Sequence, residues 1–160
     1  EGLVSDAARR NLNNIIFMPS KPKNAMPEVW SLCNVALVHL KNNPVFAGVI
    51  PSKMFEAMAM GLPVLIAAPE GVASQILLGD KAGLHVPAQD PAALAGAIVR
   101  MADDKEGLKT LSANSFAAAA SHSRKYQARH MVAVLKCATE RRGGEAARQA
   151  PAPDAPGEAP

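Results

Sequence analysis

The sequence predicts an α/β fold in which a parallel β-sheet has helices on both faces. Short apolar runs alternate with segments of helical periodicity along most of the chain, and no two-residue hairpin signal joins neighbouring runs. The run 64–68 is apolar at every position, as a strand buried on both faces of a parallel sheet must be. These patterns together predict strands joined by helical connections, which is the Rossmann-like arrangement.

Boundary signals along the chain separate the predicted elements. Asp90 is a good N-cap and Pro91 suits the first helical position, so a helix begins there. Gly61 is placed to end an earlier helix in a left-handed conformation, and Pro63 prevents its continuation. In chain order, the predicted elements are the end of a helix at 5–11, a strand at 15–18, a helix at 26–33, a strand at 35–40, a helix at 51–61, a strand at 64–68, a helix at 73–78, a strand at 83–87, and helices at 92–102, 105–120 and 123–141.

The helix predicted at 51–61 carries both a core face and a charge pair. At about 100° per residue, one side comprises Met54, Phe55, Met58 and Ala59, and the other comprises Lys53, Glu56, Ala57 and Met60. Helix N-termini in parallel sheets lie near the carboxyl ends of strands, where anionic ligands bind. Lys53 followed by Glu56 therefore indicates a ligand that combines phosphates with hydroxyls, such as a sugar nucleotide. The alternative is an ordinary solvated ion pair worth about 0.2–0.5 kcal/mol.

Two runs in this region match the motifs of a known family. Residues 49–53 are V-I-P-S-K, and residues 56–67 are E-A-M-A-M-G-L-P-V-L-I-A. Both runs resemble the donor-binding core of the family 4 retaining glycosyltransferases, whose fold is called GT-B and whose pattern is two glutamates eight positions apart. The second glutamate of that pattern is Glu56, whereas Gly48 occupies the position of the first. The resemblance covers about residues 12–103 and is most specific at 49–67.

The resemblance implies a substrate-binding role for particular residues. Glu56 would accept hydrogen bonds from the ribose hydroxyls of a UDP- or GDP-linked sugar, and residues 50–53 would hold its diphosphate. Met18 and Pro19 would contact the nucleobase, although a plain solvent-exposed loop is the stronger expectation for them. No metal or cofactor is expected, and no residue is assigned a catalytic role. The residues assigned to substrate binding are Ile50, Pro51, Ser52, Lys53, Glu56, Met18 and Pro19.

The same resemblance predicts how the chain is organised and what it does. Residues 1–142 would be an incomplete C-terminal half of a GT-B fold, and residues 143–160, rich in Ala and Pro, would be a disordered tail. An N-terminal acceptor-binding domain would be missing, so the chain alone would be inactive. The predicted activity is transfer of a hexosyl-type sugar from a nucleotide-sugar to an acceptor, with retention, in the synthesis of cell-surface polysaccharide or glycolipid.

Composition excludes several other functions. Aromatic residues make up 4% of the chain, too few for the stacking platforms of single-strand nucleic-acid binding, and the net charge of +3 includes no dense basic block for DNA or RNA. Cys33 and Cys137 lack metal-ligand spacing and are expected to be buried thiols in a reducing cytoplasm. Basic residues gather between 124 and 148. Either contact with anionic lipid at the inner membrane face or a solvated helix face explains this cluster.

Two other functions are consistent with the same motifs. A sugar-nucleotide 2-epimerase shares the GT-B architecture, but it would be expected to carry additional acid and base residues near the cleft, and the sequence shows none. A non-catalytic sugar-nucleotide-binding module is the other alternative, because such a protein is expected to have lost a carboxylate such as the one that Gly48 replaces.

Overall fold

The computed structural model describes residues 2–148, and it describes side chains as far as residue 139. These residues form seven α-helices, three strands and two short 3₁₀ helices, at Lys23–Ala25 and Pro44–Gly48. The α-helices and strands, in chain order, are α1 (Gly2–Arg9), α2 (Met26–Ser31), β1 (Ala36–His39), α3 (Ser52–Ala59), β2 (Val64–Ala67), α4 (Val72–Gly79), β3 (Gly83–Val86), α5 (Pro91–Asp103), α6 (Lys105–Ala119) and α7 (Arg124–Arg148).

The three strands form one parallel sheet in the order β1-β2-β3. Val64 in β2 lies opposite Ala36 of β1 and Gly83 of β3, which sets the register. Every residue of β2 is buried, because this strand has a neighbour on each side and helices above and below. The predicted α/β class, with a parallel sheet between helices, is therefore confirmed.

Apolar side chains pack against both faces of the sheet. On one face, Val64 and Ile66 contact residues of α3 and α4, among them Met54, Met58 and Leu77. On the other face, the core residues come from β2, β3 and α5, with two partly buried leucines of α6 beside them. This second group comprises Leu65, Ala67, Val86, Ala97 and Met101, together with Leu108 and Leu111.

α6 holds the turns that lead into β2 and β3. The Ser112 hydroxyl donates to the Gly61 carbonyl at 2.6 Å, and the buried Ser115 hydroxyl donates to the Ala82 carbonyl at 2.9 Å. Each carbonyl belongs to the segment just before a strand, and the Ala82 carbonyl also accepts from the Val64 N–H of β2 at 3.1 Å. These bonds therefore fix the entry into both strands.

The strand predicted at 15–18 is not formed. These residues have no regular structure and are largely exposed, with Ile16 at 85%. A parallel strand obtains its hydrogen bonds only from a neighbour, and no strand among the described residues lies beside this segment. The apolar pattern alone was insufficient to predict pairing.

The other predicted elements are confirmed, with their predicted ends matched to within two residues except in α7. α7 continues to Arg148, so residues 143–148 are helical where a disordered tail was predicted. Gly143 and Gly144 oppose helix, but Glu, Ala and Arg at 145–148 favour it once a helix has started. The remainder of the predicted tail, 149–160, lies outside the described residues. Cys137, predicted to be buried, is exposed on α7.

Candidate functional site

The candidate site lies where the chain passes from β1 to α3. After β1 ends at His39, the Asn43 side chain accepts a hydrogen bond from the Val45 N–H at 3.0 Å and caps the short helix Pro44–Gly48. An extended stretch then leads to Pro51, which directly precedes α3. Because α3 follows β1 in this parallel sheet, its N-terminus lies at the carboxyl edge of the strands.

A close backbone contact supports the loop before α3. A Cβ atom on Gly71 would lie 2.0 Å from the Ala47 carbonyl oxygen, so only glycine allows this approach. Gly71 has an extended conformation, with φ of 173°, which any residue can adopt. Glycine is therefore required here because a side chain would not fit, and not because of the backbone angle. The buried Ser74 hydroxyl accepts from the Gly71 N–H at 3.0 Å and donates to its carbonyl at 2.9 Å. The turn after β2 thus holds the loop that leads to the site.

The N-terminus of α3 is open. Pro51 provides no side-chain cap, and among the described residues no group accepts a hydrogen bond from the backbone N–H of Ser52 or Lys53. Both side chains are exposed. Free N–H groups and the helix dipole give this end a partial positive charge, and the Lys53 ammonium adds a full one. The arrangement suits an anion.

Glu56 follows one turn later with its side chain half-buried. Lys53 and Glu56 form no ion pair, and Glu56 makes no hydrogen bond to any residue that the structure describes. The solvated ion pair considered above is therefore absent. The Glu56 carboxylate remains available to accept hydrogen bonds from a ligand.

The structure corrects the predicted sides of α3. Ala57 is buried together with Met54 and Met58, although it was assigned to the side of Lys53, and Ala59 is exposed although it was assigned to the core side. On a helical wheel Ala57 lies at the border of the two sides, and its small side chain fits against the sheet. Glu56 and Lys53 lie outside the core, as predicted.

The C-terminal end of α3 is closed as predicted. Gly61 has a φ of 71°, its N–H bonds to the Met58 carbonyl at 2.9 Å, and the Leu62 N–H bonds to the Ala57 carbonyl at 3.0 Å. This pair of bonds is a Schellman motif, which requires a left-handed residue at the glycine position. The helix is therefore fixed in length between Pro51 and Gly61.

Met18 and Pro19 lie in the irregular segment that follows the absent strand. Both are exposed, and neither makes a hydrogen bond to another described residue. Of the other five predicted site residues, Ile50 and Pro51 lie just before α3, and Ser52, Lys53 and Glu56 lie in its first two turns. A nucleobase contact by Met18 and Pro19 stays a prediction.

A cavity of about 430 Å³ opens at the carboxyl edge of the sheet. No sequence motif predicted this cavity, because its walls come from separate parts of the chain: β1 and the residues just after it, the last residue of β2, and the segment after β3. The available signal was their common position at strand ends, where ligands of parallel sheets bind. Its lining residues are Leu37, His39, Leu40, Lys41, Ala67, Gln89, Asp90, Pro91 and Leu94.

The described part of the chain contains neither a metal-binding cluster nor a membrane-spanning helix. Among its side chains, no group of three or more His, Cys, Asp and Glu residues is placed to hold a metal ion. None of its helices is both long enough and apolar enough to cross a membrane.

The chain is similar to one family model and to a solved structure. The family model described as "Glycosyl transferases group 1" matches residues 2–104. A solved sucrose-phosphate synthase from Thermosynechococcus elongatus is similar over 85% of this chain and 34% of its own, with a TM-score of 0.67 and 26% sequence identity. The chain thus spans about a third of the length of that structure. No curated protein matches the sequence.

Proposed function

The chain belongs to the group 1 glycosyltransferases, and we propose that it forms the part of such an enzyme that binds the nucleotide-sugar donor. The observation that carries this proposal is the start of α3. An open helix N-terminus with an exposed lysine lies one turn from a half-buried carboxylate that no described residue engages.

The two ends of this short surface suit different parts of the donor. The diphosphate would accept hydrogen bonds from backbone N–H groups of residues 50–53 other than Pro51 and from the Ser52 hydroxyl, with Lys53 neutralising charge. The Glu56 carboxylate would accept hydrogen bonds from the ribose hydroxyls. Glu56 lies four positions after Ser52 in the helix, a rise of about 6 Å, which is comparable with the span from diphosphate to ribose hydroxyls.

This arrangement favours a reaction driven by the leaving group. As the glycosidic bond breaks, negative charge accumulates on the departing diphosphate, and fixed donors at α3 stabilise it more strongly in the transition state. None of the proposed contacts is assigned the role of nucleophile. Metal-independent transfer with retention of configuration is the mechanism we propose, with a hexosyl donor linked to UDP or GDP.

The finer assignments rest on the resemblance of residues 49–67 to family 4 enzymes. On that basis, residues 1–142 form part of a C-terminal donor domain, and an N-terminal domain supplies the acceptor site. The product would be a cell-surface polysaccharide or glycolipid, made in the cytoplasm with contact to the inner membrane face. The chain alone would bind donor without transferring sugar.

A second candidate function has one observation in its favour. Gly48 stands where the family pattern has its first glutamate. A protein without that carboxylate is expected to bind a nucleotide-sugar and leave it unreacted, as a non-catalytic module does. Transfer of sugar by an enzyme that contains this chain distinguishes the two functions.

The proposal predicts how two substitutions weaken ligand binding. Glu56→Ala should lower affinity for both a nucleoside and its diphosphate, because a hydrogen bond to a charged group contributes about 1.5–3 kcal/mol, or about ten- to more than a hundredfold in affinity. Lys53→Ala should lower affinity for the diphosphate and leave the nucleoside nearly unaffected. Calorimetric titration with uridine, guanosine and their diphosphates measures both effects.

Lys21→Ala and Lys23→Ala are the matched controls, because both lysines are exposed and lie outside α3. Their affinities should equal that of the wild-type chain. If Glu56→Ala binds nucleoside and diphosphate as the wild type does, the proposed role of α3 is wrong.

A further inference from the structure

His85 holds the chain at the point where it leaves β2. The hydrogen bonds between β2 and β3 end where the Ala68 N–H donates to the Val86 carbonyl at 3.2 Å. Among the described residues, no backbone N–H donates to the carbonyl of Ala68 itself. The Nε2 atom of His85 lies 2.9 Å from this oxygen. A carbonyl oxygen can only accept, so the imidazole donates through its Nε2–H group.

This bond supplies a partner to an acceptor that water does not reach freely. Ala68 is 2% exposed, and His85 is half-buried. Leu84 and Val86 pack in the core group that includes α5, so His85, which lies between them in β3, is on the opposite face of the sheet. A buried carbonyl without a partner is destabilising. The side chain of His85 therefore fixes the position of the Ala68 peptide group.

The turn that begins at Ala68 supports the loop before α3. Three residues after Ala68, a Cβ atom on Gly71 would lie 2.0 Å from the Ala47 carbonyl oxygen, so the two backbones are in direct contact. Ala47 belongs to the short helix Pro44–Gly48, after which the chain reaches the start of α3. Close-packed segments cannot overlap, so a shift of the turn must displace this loop.

We propose that His85 is a positioning residue for the start of α3. Its bond to the Ala68 carbonyl fixes the turn after β2, and the contact of Gly71 with Ala47 passes this constraint to the loop that leads to residues 50–53. The inference rests on the proposed function in one respect, because these residues are the proposed contacts of the donor diphosphate. His85 is not one of those contacts, so its effect on the ligand is indirect.

Two substitutions separate the hydrogen bond of His85 from the space that its side chain fills. His85→Leu fills much of the same space but has no donor, whereas His85→Gln has an amide N–H that can take the place of Nε2–H. Affinity for the diphosphate should fall about 3- to 10-fold in His85→Leu, as expected for the loss of one hydrogen bond. His85→Gln should restore the wild-type affinity.

Calorimetric titration of the whole chain with UDP and GDP, and with uridine and guanosine, measures these effects. The loss in His85→Leu should be smaller for the nucleoside than for its diphosphate. The reason is that Glu56, the proposed ribose contact, lies within α3, which is held by its own packing on the sheet. A general loss of folded protein would weaken binding of both ligands equally.

Ser115→Ala is the matched control. The Ser115 hydroxyl donates to the Ala82 carbonyl at 2.9 Å, at the opposite end of β3 from the bond made by His85. This substitution also removes one side-chain hydrogen bond to a backbone carbonyl beside β3, but at the amino edge of the sheet. It should lower the melting temperature, as His85→Leu does, and leave the affinity for the diphosphate unchanged.

Hydrogen exchange without ligand tests the positioning independently of the proposed function. In the loop before α3, the Phe46 N–H bonds to the Asn43 carbonyl at 2.9 Å, and the Val49 N–H bonds to the Phe46 carbonyl at 3.2 Å. Both amides should exchange faster in His85→Leu than in the wild type. They should exchange at the wild-type rate in His85→Gln and in Ser115→Ala.

The two measurements distinguish failure of this inference from failure of the proposed function. If the wild-type chain binds neither UDP nor GDP, the proposed function is wrong, and the exchange rates alone decide whether His85 holds the loop. Unchanged exchange of the loop amides in His85→Leu, no recovery in His85→Gln, or an equal loss of affinity in Ser115→Ala would each overturn the proposal.

Discussion

α3 and α7 differ in what holds them. α3 has eight residues, three of them buried, and its ends are fixed at Pro51 and Gly61. α7 has 25 residues, and none of its described side chains is buried. An isolated helix of eight residues is unstable in water, whereas one of 25 is long enough to form without packing. α3 is therefore stable only because it packs on the sheet. A binding site on α3 is held as rigidly as the core that supports it.

The largest expected effect is on stability at a matched pair of positions, Met58 on α3 and Leu135 on α7. Met58→Ala should cost about 2–5 kcal/mol, because it leaves a cavity in a packed core. Leu135→Ala should change the free energy of unfolding by less than about 0.5 kcal/mol, as exposed substitutions do. Denaturant unfolding of both variants measures the difference, and equal costs would show that α7 packs on the domain.

A smaller effect is expected at the loop that leads to α3. Gly71→Ala should cost about 1–3 kcal/mol, because the new Cβ overlaps the Ala47 backbone and one of the two segments must move. Gly48→Ala is the matched control, since a Cβ there meets nothing within 4 Å. Thermal melting compares the two. A stable Gly71→Ala variant would mean that the loop position does not depend on this contact.

The smallest effect is expected at the turn that joins α7 to the domain. His122→Ala removes the bond to Asp80 and the stack on Phe55, and should cost about 1 kcal/mol. His130→Ala is the control, because its stack with Tyr126 lies on the exposed helix, with centroids 6.5 Å apart. Its unfolding free energy should be unchanged. If both variants lose the same free energy of unfolding, the turn at His122 does not hold α7 to the domain more firmly than the exposed helix does.

Local signals were enough to predict much of the fold. The apolar run at 64–68 became the buried central strand, Asp90 caps α5 by accepting from the Ala93 N–H at 2.8 Å, and Gly61 ends α3. Each of these outcomes depends on residues a few positions apart. The position of Ile50 to Glu56 at the loop and first turns of α3 was predictable for the same reason; their role in binding stays a prediction.

Features that need a distant partner were not predictable. The run 15–18 has strand composition but no neighbouring strand among the described residues. The cavity at the carboxyl edge combines residues of β1 and β2 with residues that follow β1 and β3, and the approach of Gly71 to Ala47 depends on two loops meeting. Sequence periodicity describes one element at a time, so contacts between elements lie beyond it.

The open space at Gly48 has a consequence for how this site can change. Gly48 is exposed, no atom lies within 4 Å of a Cβ built there, and its backbone does not require glycine. A residue with a carboxylate would thus fit at this position without a change in the backbone and without displacing a neighbour. The residue at position 48 is therefore separable from the fold, and Gly48→Glu should add a carboxylate to the loop before α3 while the scaffold stays the same.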